Sequence, residues 1–186
     1  MDYILRILSE VDAIVAGGFS EFVTPLMTRF FTTVTHLGDV ETVAVFALMF
    51  AFYLWRKHRA YLLSFITIVG GSAASMWVLK ELFARPRPIG ALIMETGFAF
   101  PSGHATMAAA FFGFIIFTLM RVRSIQNWQR GIMILILAVW ILLVGLSRVY
   151  LGVHHASDVM AGWLLGFIWI LVVVRSCAKK SLSLAK

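Results

Sequence analysis

An all-α, polytopic membrane bundle is the fold this sequence predicts, and three observations carry the prediction. The 186-residue chain is 61% hydrophobic and only 13% charged, whereas soluble domains carry roughly a quarter charged residues. Its mean hydropathy is +0.91. Uncharged runs recur along it: Thr42 to Trp55, Ala60 to Leu79, Ala105 to Met120, Gly131 to Ser147 and Val159 to Val174. Each run with its flanks approaches the about 20 apolar residues that a span requires. Inside lipid the backbone must satisfy its own hydrogen bonds, so the runs are expected to be helices, about five in all.

The elements follow in order. The first span is short and borrows Leu37 to Glu41, with its acids at the interface. Before it, Ala13 to Thr35 contains Glu21 and Arg29 and is broken by Gly17, Gly18 and Pro25. One or two amphipathic helices lying on the outer interface are expected there, with a sixth span as the alternative. Met1 to Val15 mixes Asp2, Arg6, Glu10 and Asp12 with apolar residues, which is not the pattern of a cleavable signal peptide. The whole is read as one domain, 1–186, made of interfacial helices (1–36), a transmembrane core (37–176) and a cytoplasmic tail (177–186). The end of that tail, Ser181 to Lys186, is expected to be loose. Cys177 is the only cysteine, so no intrachain disulfide forms; it reads as an interfacial thiol, with acylation as the alternative.

The net charge of +7 does not point to nucleic acid, because the basic residues lie in short loops between apolar runs, as membrane topology requires. Arg56, Lys57, His58 and Arg59 separate the first two spans; Arg121, Arg123 and Arg130 lie between the third and fourth; Arg175, Lys179 and Lys180 follow the fifth. With five crossings all three groups fall on one side, which the positive-inside rule makes the cytoplasm. The expected location is therefore the inner cell membrane, with the C-terminus cytoplasmic.

Three polar islands then share the opposite, periplasmic or exterior face: Lys80 to Pro88, Pro101 to His104, and Ser147-Arg148 followed by His154 and Asp158. Ionisable side chains at the ends of membrane helices are costly and usually functional. In the second island Ser102 is placed to cap a helix whose free N–H groups make an anion site. Gly103 would let an oxygen approach, and His104 would stand beside it. In the third, His154 and Asp158 are four apart and can meet on one side of a helix start. A carboxylate on one ring nitrogen leaves the other free to attack, which makes His154 a candidate nucleophile. His155 is expected to point elsewhere, as packing or substrate contact. Lys80 and Arg87 in the first island, and Arg148 in the third, are candidate phosphate clamps; for Lys80 alone, snorkelling would suffice. A metal site built from His104, His154, His155 and Asp158 is the competing chemistry. The apolar segment Ile89 to Phe100 could either guide lipid chains or simply cover the bundle.

The spacing Lys-x6-Arg-Pro, then Pro-Ser-Gly-His, then Ser-Arg-x5-His-x3-Asp resembles the three-part motif of the type-2 phosphatidic acid phosphatase superfamily. The match runs from Lys80 to Asp158, and the spacing from Lys80 selects Arg87-Pro88 over Arg85-Pro86. The resemblance is strongest to small bacterial enzymes that hydrolyse phosphatidylglycerophosphate or undecaprenyl pyrophosphate. It implies metal-independent, cofactor-free hydrolysis of a lipid phosphate through a phosphohistidine. His154 would attack, Asp158 orient it, and His104 protonate the leaving oxygen. Lys80, Arg87, Ser102, Gly103 and Arg148 would hold the phosphate oxygens. A lipid A or phosphatidate phosphatase, and a non-catalytic lipid-binding relative, are the alternatives. Many relatives have six spans, so the part played by the first 36 residues stays open.

Overall fold

The computed structural model describes residues 2–20, 22–121 and 125–183, with side chains described for 9–19, 22–121 and 125–176. Among these residues there is no strand. The helices are α1 (Asp2–Ser20), α2 (Pro25–Leu37), α3 (Val40–Lys57), α4 (Arg59–Phe83), α5 (Gly103–Leu119), α6 (Asn127–Tyr150) and α7 (Ala156–Ser183). Each uncharged run of the sequence lies within one of α3 to α7, apart from Met120, the C-cap of α5. The tail past residue 183 and the side chain of Cys177 lie outside the described residues.

α5 is apolar on every side and is accordingly the central helix, buried along most of its length. It packs most extensively on α7, then on α6 and α4. The α5–α7 approach is close because glycines face small residues. A Cβ on Gly162 would stand 2.7 Å from the Ser102 carbonyl oxygen, and one on Gly166 would stand 2.7 Å from the Ala109 Cβ. Leu48, Leu63, Leu135 and Leu164 point outward and are exposed, as lipid-facing positions are.

α4, α6 and the Ala156–Ser176 part of α7 are each long and apolar enough to cross a membrane, and α2 with α3 could form one further span bent by 41°. α5 has 17 residues, a length of about 26 Å. α3 carries Glu41, Arg56 and Lys57 at its ends.

The N-terminal segment is two helices. Pro25 at the start of α2, capped by Thr24, breaks the chain between them, so no continuous helix runs from Ala13 to Thr35. α1 lies against α6 and α7, and α2 against α6. Consecutive core helices run up and down. The ends of α4 and α6 and the starts of α5 and α7 therefore gather at one end of the bundle, and Arg56, Lys57, Arg59, Arg121 and Arg130 gather at the other.

Candidate active site

At the first of these ends the polar islands converge. The Ser102 N–H donates to the Asp158 carbonyl 3.0 Å away, joining the second island to the third. Arg87 Nη1 donates to the Val153 carbonyl at 3.0 Å and lies 3.3 Å from His154 Nε2, joining the first to the third. The loop from α6 to α7 is shaped by Gly152, whose φ of +68° favours glycine, and its Cα faces the Ala91 backbone.

His154 sits in that loop and is almost wholly buried. Guanidinium groups only donate, so the Nε2 facing Arg87 is the unprotonated ring nitrogen. The proton then rests on Nδ1, which lies 3.7 Å from Asp158 Oδ2. This exceeds a hydrogen bond, and catalytic hydrogen bonds are often long until the substrate complex forms. Burial is the main force lowering the His154 pKa to about 4; Arg87 and Arg148 add to it, while Asp158 opposes. The ring is therefore neutral around pH 7.

Asp158 is the third residue of α7, and its Oδ2 accepts the His155 N–H at 2.9 Å, the reciprocal half of a capping box. His155 takes the cap position of α7. His155 also turns its Nδ1 to the same oxygen at 3.2 Å rather than pointing away. The other oxygen, Oδ1, accepts from Arg85 Nη1 at 2.5 Å.

Arg85, set aside by motif spacing, bridges further. Its Nη2 donates to Asp12 Oδ2 at 2.8 Å. Asp12 is buried on α1 and accepts from the Ser157 backbone N–H at 2.8 Å and from its hydroxyl at 2.7 Å. The N-terminal helix is in this way tied to the carboxylate beside His154.

The remaining predicted residues lie at the same end of the bundle. Lys80 Nζ donates to the Phe98 carbonyl at 2.6 Å, so it turns to the covering loop rather than out to the interface. Arg87 is held by the Thr96 and Gly97 carbonyls at 2.7 and 3.0 Å; burial and the Arg148 charge lower its pKa, and Glu95 opposes them. Arg148 is buried and donates to the Thr35 hydroxyl and the Glu95 carboxylate. Glu95 also lies 3.8 Å from Arg87. Burial favours its neutral form, but Arg148, His104 and Arg87 outweigh this and hold its carboxyl below the usual range.

Ser102 occupies the N-cap position of α5 without making the side-chain capping bond. Its hydroxyl is buried with no partner, as is Arg148 Nε. Unpaired buried donors are costly and call for a ligand or water. A Cβ on Gly103 would lie 3.1 Å from Met76 Sδ. His104 Nε2 lies 2.7 Å from Asp39 Oδ1. Among the described residues, no three His, Cys, Asp or Glu side chains gather as metal ligands would.

The covering loop divides between the surface and the bundle. Ile89 and Met94 are fully exposed, while Ala99 is buried and Leu92 N–H donates to the Leu151 carbonyl at 2.9 Å. The residues missed by sequence reasoning (Asp12, Asp39, Arg85 and Glu95) are all charged and stand outside the motif letters. The one available signal was the cost of placing acids in so apolar a chain.

This geometry has known counterparts. Residues 61–181 match the family model of the PAP2 superfamily. The chain is 32% identical over 152 residues to phosphatidylglycerophosphatase B of Bacillus subtilis, covering 80% of this chain and 74% of that protein. It is 34% identical over 136 residues to the undecaprenyl-diphosphatase of Sulfolobus acidocaldarius, covering 69% and 59%. The crystal structure of the Bacillus subtilis PAP2-type phosphatidylglycerolphosphate phosphatase superposes with a TM-score of 0.82 at 28% identity, over 93% of this chain and 87% of that one. Aquifex aeolicus LpxE shares the fold, with a TM-score of 0.66 at 22% identity, over 89% and 93%. The cluster of arginines around a neutral histidine thus lies on a known phosphatase scaffold, and the chain belongs to the PAP2 superfamily as a membrane phosphatase.

Proposed function

We propose that this enzyme hydrolyses a lipid phosphate monoester or diphosphate at the outer face of the cell membrane through a phosphohistidine on His154. The observation that carries the reading is His154 itself, with an unprotonated Nε2 3.3 Å from Arg87 and an Nδ1 on the Asp158 side. An imidazole so held is a nucleophile with its lone pair aimed at an anion site.

In the first step His154 Nε2 attacks phosphorus, the bond to the leaving oxygen breaks, and His104 protonates that oxygen. In the second, His104 takes a proton from water as the water oxygen bonds to phosphorus and the P–N bond breaks. Lys80, Arg87, Arg148 and the Ser102 hydroxyl hold the equatorial oxygens, with Gly103 bringing the start of α5 under them. Phosphoryl transfer needs chiefly such positioning and charge neutralisation. Glu95, now between Arg148 and Arg87, stands where one oxygen of the substrate would bind and yields to it. No cofactor enters this scheme, because the protein's cations do the neutralising.

The membrane arrangement is part of the proposal: α3 to α7 cross five times, α1 and α2 lie at the outer interface, and 177–186 form the cytoplasmic tail. The basic ends of α3 to α6, opposite the site, support this orientation. Relatives named for phosphatidylglycerophosphate and undecaprenyl diphosphate point to those two lipids as substrates. Membrane lipids surround the protein, and no nucleic acid takes part. The test is phosphate release by purified enzyme from both lipids, phosphatidate and a lipid A phosphate, with His154→Ala as control. Activity of that control equal to the parent's would overturn the nucleophile assignment.

A further inference from the structure

His104 has a carboxylate of its own, contributed by a part of the chain that no motif marks. Asp39 lies in the two-residue link between α2 and α3, and its Oδ1 is 2.7 Å from His104 Nε2. The link reaches this place because Gly38 lies flat against α6, where a Cβ would come within 2.8 Å of the Val144 methyls. The Asp39 side chain is about one-third exposed, and that of His104 is 10% exposed. Asp39 Oδ2 lies 3.2 Å from Nδ1 of the exposed His36.

We propose that Asp39 is the positioning residue of the acid histidine. A carboxylate only accepts, so Nε2 carries a proton toward Asp39 and the atom left to serve the leaving oxygen is Nδ1. The Asp39 charge also favours the imidazolium over the neutral ring, keeping the second proton on Nδ1 until the ester bond breaks. That proton passes to the leaving oxygen, which keeps the electron pair of the broken P–O bond, and the attacking water returns one to Nδ1. The site then contains two aspartate–histidine pairs of opposite purpose: Asp158 beside a neutral nucleophile and Asp39 beside a charged acid. Burial opposes the charged ring most and Arg148 from α6 adds to that opposition, while Glu95 from the covering loop acts with Asp39 in its favour. Near the start of α5, α4 presents Met76, α3 presents Val40 and α7 presents Gly162, none of them ionisable. His36 shares Asp39 through the other carboxylate oxygen.

The inference rests on His104 being the acid, and one experiment separates the two ideas. Phosphate release is measured against pH for the parent, Asp39→Asn, Asp39→Glu, His104→Ala and the Asp39→Asn/His104→Ala double variant, on a monoester and a diphosphate lipid. The expected result for Asp39→Asn is a fall in kcat of about 10²-fold. The loss should be larger on the monoester, whose alkoxide leaving group needs the proton more, and KM should change little. Its alkaline limb should move to lower pH, because the imidazolium has lost its countercharge, and Asp39→Glu should restore the limb. In the His104→Ala background Asp39→Asn should cost nothing further. An equal loss in that background, or an alkaline limb that stays in place, overturns the role of Asp39. Full activity of His104→Ala overturns the acid assignment instead.

Discussion

Oδ1 of Asp158 is 2.5 Å from Arg85 Nη1, while Oδ2 is 3.7 Å from His154 Nδ1. One carboxylate therefore anchors the loop of the proposed nucleophile and is itself anchored from two sides. It is fully buried and also accepts from the His155 backbone. Asp158→Asn removes the charge that favours the reactive tautomer. A fall in kcat of about 10³-fold or more is expected in phosphate release. Arg85 keeps its ion pair with Asp12 but loses the one with Asp158, which should also lower the unfolding temperature in detergent.

The anchor extends to the N-terminal helix. Asp12→Asn breaks the ion pair with Arg85 at 2.8 Å, and Arg85→Gln breaks both ends of the bridge. Because these residues act through Asp158, each should lower kcat about tenfold, less than Asp158→Asn. The losses should not add in the double variant. Additive losses in the kinetics would show that α1 acts on the site by another route.

Acidity should act through His154. Burial holds its pKa near 4 in the folded protein, against about 6.5 for a free imidazole. Between those values the unfolded chain binds a proton that the folded chain does not. This contribution to stability is complete above about pH 6.5 and is lost as pH falls toward 4. Thermal unfolding scanned over that window should show the decline, and His154→Gln should lack that share of it. The nucleophile itself stays neutral down to about pH 4 in the free enzyme, so the acid limb of kcat/KM assigned to His154 is expected near there.

Helix packing provides a test remote from the chemistry. A Cβ at Gly166 would lie 2.8 Å from the Thr106 carbonyl oxygen and 2.9 Å from the Ala110 nitrogen, both of them backbone. Gly166→Ala must push α7 off α5, at about 1–3 kcal/mol. The unfolding temperature should fall, and kcat with it, because α5 and α7 carry His104 and Asp158. Gly131→Ala, inside α6 with open space around its Cα, should leave kcat unchanged and raise the unfolding temperature slightly, because Ala favours the helix.

Much of this was legible before any coordinates. Helices over the runs from Ala60, Ala105, Gly131 and Val159 could be marked because lipid forces a long apolar run into a helix, whatever its neighbours. His154 and Asp158 could be paired because positions four apart meet on a helix. The cap at Ser102 was only half legible: its position is right, but its hydroxyl does not bond the helix, because capping depends on a rotamer set by packing.

Local chemistry written in the chain decided the membrane class, the helices and the three islands, since each depends on residues within a turn or a span of one another. Tertiary structure alone decided which acids serve which site. Asp39 is 65 residues from His104, Asp12 is 73 from Arg85 and Glu95 is 53 from Arg148. Separations like these carry no periodic signal. Charged groups are brought together across them only when glycine-lined helices close on one another and leave each charge no better partner than its opposite.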